Sequence, residues 1–452
     1  MHTTTQNLLA ALWDGVLDAQ AVLNQMTDRH YAQGPELDVK RELLVANCRQ
    51  RLKRRALFNV AHLLALAWAA WATLNWLNED LNERAENGLI GLLFLPYVLM
   101  VFLEFCWTLW TNKRKLQIAA STDEFLTDQV PPAIGHNVVI YSGFSPFSAF
   151  GVPLESWSLL VDTTKTLPSH TEAEAFSSAD LISSLSGRLQ GLLVGARVQD
   201  VLFVRGSMLP EFPDLLKSRI SMPITSMDQE SISLYVEKNE PFARLYRSCM
   251  QRIGASGAIF TAFVRTHKRQ SQLFIECHQY LLPDLRRDFR KLDDQIQFRP
   301  VHFFVSSIVG SLLAGPIMAI VAAFAILSSI FRAAARFTHA LLDHPLDKQK
   351  CWGGRFDYGH RQTFRSKCSA DEYDTFFQTQ DKEALRKATN IAIVNELAAF
   401  LKSKGIDVGD LESSKQQIIN SGVFVAGGTF SSAAFASGSK AQATTNVVGG
   451  PA

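Results

Sequence analysis

Residues 56–78, ALFNVAHLLALAWAAWATLNWLN, carry no charge, and this run constrains the chain more than any other feature. A bilayer core takes about 20 apolar helical residues, and in lipid only a helix satisfies its own backbone polar groups. A second such run extends from Asn87 to Leu103 and continues past Glu104 as FCWTLWTN. The linker between them, NEDLNERAE, leaves room only for a tight antiparallel turn. A transmembrane helical hairpin is therefore expected over 56–112, following cytosolic N-terminal helices over 1–55.

The flanks set its expected orientation. Arg49, Arg51, Lys53, Arg54 and Arg55 precede the first run, and Lys113, Arg114 and Lys115 follow the second. The turn carries Glu79, Asp80, Glu83 and Glu86 against Arg84 alone. Lys and Arg collect on the cytoplasmic side, so both outer ends and the bulk of the soluble mass are expected in the cytosol, below a bacterial plasma (inner) membrane. Trp76 is expected near the outer interface, and Trp107 and Trp110 near the inner one.

Glu104 is the one acidic residue inside a run. At about 1.5 Å per residue it reaches nearly the depth of His62. Two readings stand: a proton-responsive Glu104–His62 pair with Asn59 nearby, or an interfacial glutamate that snorkels toward the cytosol.

A third uncharged block, residues 300–331, is long for one span and short for two. Gly315-Pro316 sits at its middle, where a helix kinks or turns. Basic residues flank both ends, which favours a re-entrant hairpin over one kinked span for 300–332. Small residues at Gly310, Ala314, Gly315, Ala319 and Ala323 suit close helix contact.

The rest reads as soluble. Leu9, Leu12, Val16, Ala19, Leu23 and Met26 form one helical stripe, broken by Gly34-Pro35, with a second helix expected from about Glu36. Residues 113–299 read as a cytosolic α+β domain. Strands are expected at 138–142, 156–162, 201–204 and 232–237, with a hairpin from GAIFTAFVRT and SQLFIECHQYLL and a helix from Ser178. LPDLRRDFRKLDD reads as a basic helix. In GFSPFSAFGVP the phenylalanines are expected in the core, because Phe147 stands where a nucleophile elbow needs glycine. Residues 333–415 read as helical: Ser369 with Glu372 forms a capping box, and Asp381 caps a helix that Gly405 closes. In the glycine-rich loop around it, Arg355, Arg361 and Arg365 are candidate lipid-phosphate contacts, against plain solvation. The tail, 416–452, is low in complexity and β-prone, suited to disorder, edge docking or self-association.

The segments YSGFSPF, HQYLLPDLRRDFR, FDYG, FFQTQDKE and LKSKGIDVGDLESSKQQIINSGVFVAGGTF together resemble a family of uncharacterised bacterial multi-pass membrane proteins. The similarity runs in order from about residue 85. It implies a shared layout of hairpin, α+β domain, membrane block and tail, and no assigned activity or site residues.

A net charge of +2 gives no field for nucleic acid. The six cysteines form no CxxC pair, and the spacing of Cys351, His360 and Cys368 matches no zinc pattern. No P-loop, dinucleotide-binding or HExxH motif occurs. The expectation is a membrane-anchored, non-enzymatic sensor or scaffold. It has the bilayer, an unidentified cytosolic partner or ligand, and a second copy as partners, and no cofactor or metal. The alternative is a membrane-perturbing effector, in phage defence, acting through 300–331.

Overall fold

A computed structural model describes residues 3–27, 32, 34–78, 89–120, 136–168, 173–192, 195–219, 221–235, 241–253, 257–290, 292, 300–352, 356–360, 362–370, 376–420 and 423–426. Its helices, in chain order, are α1 (Thr4–Asp14), α2 (Ala19–Thr27), α3 (Arg41–Asn78), α4 (Leu89–Ala120), α5 (Ser178–Leu192), α6 (Gln229–Ser233), α7 (Pro300–Trp352), α8 (Phe364–Lys367), α9 (Phe376–Ser403) and α10 (Gly409–Asn420). The strands are β1 (Val138–Tyr141), β2 (Val152–Asp162), β3 (Arg197–Arg205), β4 (Ala243–Arg252), β5 (Ile259–Arg269), β6 (Gln272–Leu282) and β7 (Val423–Ala426). Two units result. A helical unit takes Met1–Asp28, Val39–Leu126 and Arg287–Gly354; a sheet unit takes Arg29–Asp38, Thr127–Arg286 and Arg355–Ala452.

In the helical unit, Thr3 and Gln6 form a reciprocal capping box at the start of α1, and Gly15 closes it in the left-handed conformation. That glycine divides the expected single stripe into two helices. Leu9, Leu12, Ala19 and Met26 are buried on them, while Val16, in the break, is exposed. The next helix starts at Arg41 rather than Glu36.

Two described helices are long and apolar enough to cross a membrane, over Arg41–Asn75 and Val305–Ala335. α3 and α4 pack antiparallel: Phe58 meets Trp107 edge-on at 5.1 Å, and Ala65 packs with Met100. Arg54 lies over the Trp110 ring at 4.5 Å and Arg55 over Trp107 at 4.9 Å. The tryptophans thus hold the guanidinium groups of the basic collar by cation–π attraction. The side chain of Trp76 lies outside the described residues.

The Gly-Pro step corrects the expected re-entrant turn, because α7 runs unbroken through it. Proline removes one helical N–H and so frees the carbonyl four residues back; here that is Leu312, and the Tyr97 hydroxyl donates to it at 3.1 Å. Gly315 removes the other obstacle. A Cβ there would lie 2.9 Å from the Val101 backbone, so only glycine lets α4 come this close. Leu312 opposite Tyr97, Gly315 opposite Val101 and Ala319 beside Met100 make α7 parallel to α4.

The sheet unit is α+β. Its seven strands run in the order β1-β3-β4-β5-β6-β2-β7, antiparallel except for the parallel β1–β3 and β2–β7 pairs. β5 and β6 form the expected hairpin, closed between Arg269 and Gln272 with Gln270 at positive φ. Side-chain alternation gives each strand two faces. One carries Trp157, Leu159, Val161, Ile275 and Cys277, covered by Leu181, Leu185 and Leu189 of α5 and Ile393, Leu397 and Leu401 of α9. The other carries Phe203, Tyr246, Phe263 and Tyr280, and receives Phe147, Phe150 and Leu37. Phe147 and Phe150 come from the expected packed loop. Gly151 ends that loop at φ +92°, where a Cβ would collide with the Leu281 carbonyl.

Several expectations are corrected. Of the strand expected at 232–237, the described residues 232–235 are helix and turn; Asp228 accepts the Ser231 N–H and caps α6, whose Ile232 is buried. β4 lies where no strand was expected. The described part of LPDLRRDFRKLDD holds a single 3-10 turn, Arg287–Phe289. α9 starts at Phe376, so Asp381 is interior rather than a cap, while Gly405 does close it at φ 74°. Ser369 donates to the Arg365 carbonyl at the end of α8, and Glu372 lies outside the described residues. The start of the tail is not β-prone: α10 runs to Asn420, and only then does β7 join the sheet edge beside β2. Residues 427–452, with the self-association expected there, lie outside the described residues.

An early segment completes the sheet unit. The Glu36 carboxylate accepts the Phe364 and Arg365 N–H groups at 2.7 and 2.9 Å, capping α8 together with Thr363. Ala32 N–H donates to the Tyr358 carbonyl, and Asp38 pairs with Arg252.

Candidate functional site

The helical unit has a polar centre on Glu104. Its Oε2 lies 3.4 Å from Arg55 Nη1 and 3.8 Å from His62 Nε2, so α3 and α4 bring the two sequence-selected residues together and add an arginine. His62 is 0 % exposed. Its Nδ1 is 2.8 Å from the Phe58 carbonyl, which can only accept, so Nδ1 carries the hydrogen. Nε2 is the ring nitrogen that faces Glu104.

Beside it lies a cavity of ≈ 320 Å³, lined by Asp18, Ala19, Arg51, Leu52, Arg55, Glu104, Trp107 and Met318. Four helices meet there: α2, α3, α4 and α7. Arg51 donates to the Leu17 carbonyl at 3.1 Å, and Asp18 accepts the Gln20 N–H at 2.9 Å.

Two buried networks in the sheet unit escaped the sequence reading. On the aromatic face, Glu276 accepts from Tyr246 at 2.9 Å and Arg265 at 3.0 Å, with His278 Nε2 at 3.6 Å. His278 Nδ1 is 3.0 Å from the Ser156 hydroxyl. Burial alone would raise the Glu276 carboxyl, but the His278 hydrogen bond and the Arg265 charge outweigh it and hold it at about 2. Hydroxyl, imidazole and carboxylate stand in the order of an acyl-transfer triad. However, Glu276 already answers a guanidinium and a phenol, and Ser156 sits mid-strand between β6 and β7.

On the helix-covered face, Glu155 pairs with Arg386 and accepts from Asn390 at 3.0 Å. The Asn390 carbonyl oxygen accepts from Trp157 and Gln279, and its amide donates to the Ile418 carbonyl. Here burial dominates, and the Glu155 carboxyl is raised despite Arg386. This network ties α9 and the end of α10 to the sheet. Its members are single polar residues inside apolar stretches; Glu155 alternating with Trp157 and Leu159 was the available signal.

Arg365 corrects a sequence expectation. It is not at a lipid surface but 0 % exposed, donating to Ser369 Oγ and to the Gly257 and Pro283 carbonyls. An arginine so buried presents no donor to a lipid surface. Arg355 and Arg361 lie outside the described residues. His360 is buried, with Nδ1 2.7 Å from the Ile140 carbonyl, and burial pushes the Cys368 thiol up to about 12. No His, Cys, Asp or Glu group suited to a metal occurs among the described residues. A polar groove of ≈ 380 Å³ on the sheet unit is lined by Asn137, Gln199, Asp200, Gln229 and Arg247, with Arg247 and Asp200 paired at 2.7 Å.

A family model, the AbeC-like domain, matches residues 156–432, more than half of the chain. No curated protein and no solved structure gives a match.

Proposed function

Because the chain belongs to the AbeC-like domain family, we propose that it is a membrane-anchored abortive-infection protein in which the sheet unit receives a signal and α7 acts on the bilayer. The family's link to abortive infection, and so to phage defence, supports this. The observation that carries it is the direction and register of α7.

With α3 leaving from the basic collar and α4 returning to it, a spanning α7 parallel to α4 would begin on the far side. Residues 121–299 contain no apolar run of about 20 residues to carry the chain there. A bundle of this kind does not arise by threading the spans in order, so α7 joins α3 and α4 in a separate step. The register adds to this. Met318 lines the same cavity as Arg55, yet exposed apolar residues continue through Phe324, Leu327, Ile330, Phe331 and Phe337. From Met318 to Phe331 that is roughly 20 Å of uncharged helix at ~1.5 Å per residue beyond the level of the collar, before Arg332 and Arg336. Such a surface costs free energy in water and is relieved when α7 sinks deeper.

Induced expression is expected to arrest growth and collapse the membrane potential, read with a potential-sensitive dye. Val309→Asp with Ala322→Asp, each charge costing about 2.5–3.5 kcal/mol at a helix centre, should abolish both. Depolarisation that survives the double substitution removes α7 from the action. A scaffold reading, in which the helices only anchor a sheet unit that binds a partner or ligand, is favoured by the polar groove at Asp200. It expects no depolarisation.

A further inference from the structure

We propose that the cavity between α2, α3, α4 and α7 binds the phosphoethanolamine headgroup of a membrane phospholipid. Arg51 and Arg55 would meet the phosphate, and Asp18 with Glu104 the ammonium. The inference rests on the membrane reading above and names a ligand for the site beside Glu104.

The cavity's charge is the first argument. Two guanidinium groups and two carboxylates line it, so their formal charges cancel. An anion alone gains the arginines but is repelled by Asp18 and Glu104, and an amine alone meets the reverse. A zwitterion with phosphate and ammonium a few bonds apart satisfies both pairs. Each arginine has donors in reserve: the Arg51 Nη1 bond to Leu17 and the Arg55 Nη1 contact with Glu104 each use one nitrogen of a five-donor group.

The position is the second argument. Arg49–Arg55 and Lys113–Lys115 mark the cytoplasmic interface, and the cavity opens among them, at the depth of lipid headgroups. Leu52, Trp107 and Met318 supply an apolar side, suited to the glycerol and first acyl carbons. A volume of ≈ 320 Å³ falls at the small end of ligand pockets, about 300–1,000 Å³. Met318 belongs to α7, so an occupied cavity also fastens α7 to α3 and α4.

The test is native mass spectrometry of the full chain in detergent, offered phosphatidylethanolamine and phosphatidylglycerol in equal amounts. Phosphatidylethanolamine should dominate the bound fraction. Arg51→Gln with Arg55→Gln should lower its retention by about tenfold or more, the loss of charge-assisted hydrogen bonds. Asp18→Asn should bring the two lipids level, and Met318→Trp, which fills the space without changing charge, should displace the lipid. Equal binding of both lipids by the unaltered chain overturns the proposal, as does retention unchanged in the arginine or Met318 variants. Inorganic phosphate that displaces the lipid at millimolar concentration assigns the arginines to a soluble anion and also overturns it. Carbonate extraction of each chain reads the membrane reading separately. A chain stripped from membranes counts against that reading, and a chain that stays but shows no lipid preference counts against the headgroup site alone.

Discussion

The two units place the same residue types on opposite sides of their surfaces. In the sheet unit Phe203, Phe260 and Phe263 are buried on the strands, and the helix-covered face is sealed by leucines. In the helical unit Leu57, Leu313 and Phe324 are exposed at 70 %, 73 % and 69 %, while His62, Thr111, Ser307 and Ser311 are inside. Water drives the first arrangement. The second suits an apolar medium or a partner surface, since contiguous exposed apolar surface on this scale marks a membrane or partner contact. Polar groups differ correspondingly. The sheet unit buries whole ion pairs inside hydrogen-bond networks; the helical unit buries hydroxyls that bond to their own helix, such as Ser311 to the Ser307 carbonyl, beside the Glu104–Arg55 and Asp14–Lys115 pairs.

The contrast can be broken most severely at Arg386. Arg386→Ala leaves Glu155 buried without its cation, and about 3–5 kcal/mol of stability should go. Denaturant unfolding of the full chain in detergent reads this, with hydrogen exchange rising first in β2 and α9. An unchanged midpoint would show that the network contributes nothing to holding α9 on the sheet.

A smaller effect follows from pH. The Glu276 carboxyl, at about 2 in the folded chain, lies below the ~4.3 of an unfolded glutamate. The stabilisation it confers is complete above about pH 4.3 and is lost as the pH falls toward 2, amounting to about 2–3 kcal/mol at 1.36 kcal/mol per pKa unit. Unfolding midpoints at pH 6 and pH 3 should differ accordingly, and Glu276→Gln should flatten that part of the profile. An equal pH slope in both chains would place the acid sensitivity elsewhere.

The smallest effect belongs to the helical unit. Tyr97→Phe withdraws the hydroxyl from the Leu312 carbonyl, which Pro316 has already left without its helical partner. In an apolar medium such a bond averages about 0.6 kcal/mol. Thermal unfolding in detergent should show a small loss, and combining Tyr97→Phe with Pro316→Ala should recover it, because alanine restores the N–H. A loss that persists in the double variant would assign Tyr97 a packing role.

How much of this was legible in the sequence depended on which medium set the pattern. The long apolar helices were readable because charge is nearly absent from their runs, Glu104 apart, and the β5–β6 hairpin because β-branched and aromatic runs flank a short polar turn. β4 was not, because both of its faces are covered: Tyr246 and Met250 lie on one and Cys249 on the other. No polar alternation survives in such a strand, and Arg244, Arg247 and Arg252 mask what remains. The failure at 232–237 was local, since an Asp228 cap outweighs a short β-prone run. Gly315-Pro316 misled for a related reason. A proline signals a break only when nothing else satisfies the freed carbonyl, and Tyr97 stands 215 residues away in sequence. At the candidate site, the depth count brought out Glu104 and His62 because both lie in runs of known rise. Arg51 and Met318 come from two different helices and Asp18 from the residue just before a third, and no spacing within the chain connects them.

The Glu36 cap on α8 has a consequence for biosynthesis. Residue 36 leaves the ribosome hundreds of residues before the N–H groups it binds, and Ala32 likewise precedes Tyr358. Through the synthesis of the hairpin and of most strands, this early segment has no counterpart, and Leu37 stands without the strand neighbours it packs against in the finished sheet. A nascent chain is therefore held incomplete until its last quarter emerges, and truncation before residue 356 would leave a translation product with its first and last pieces unjoined.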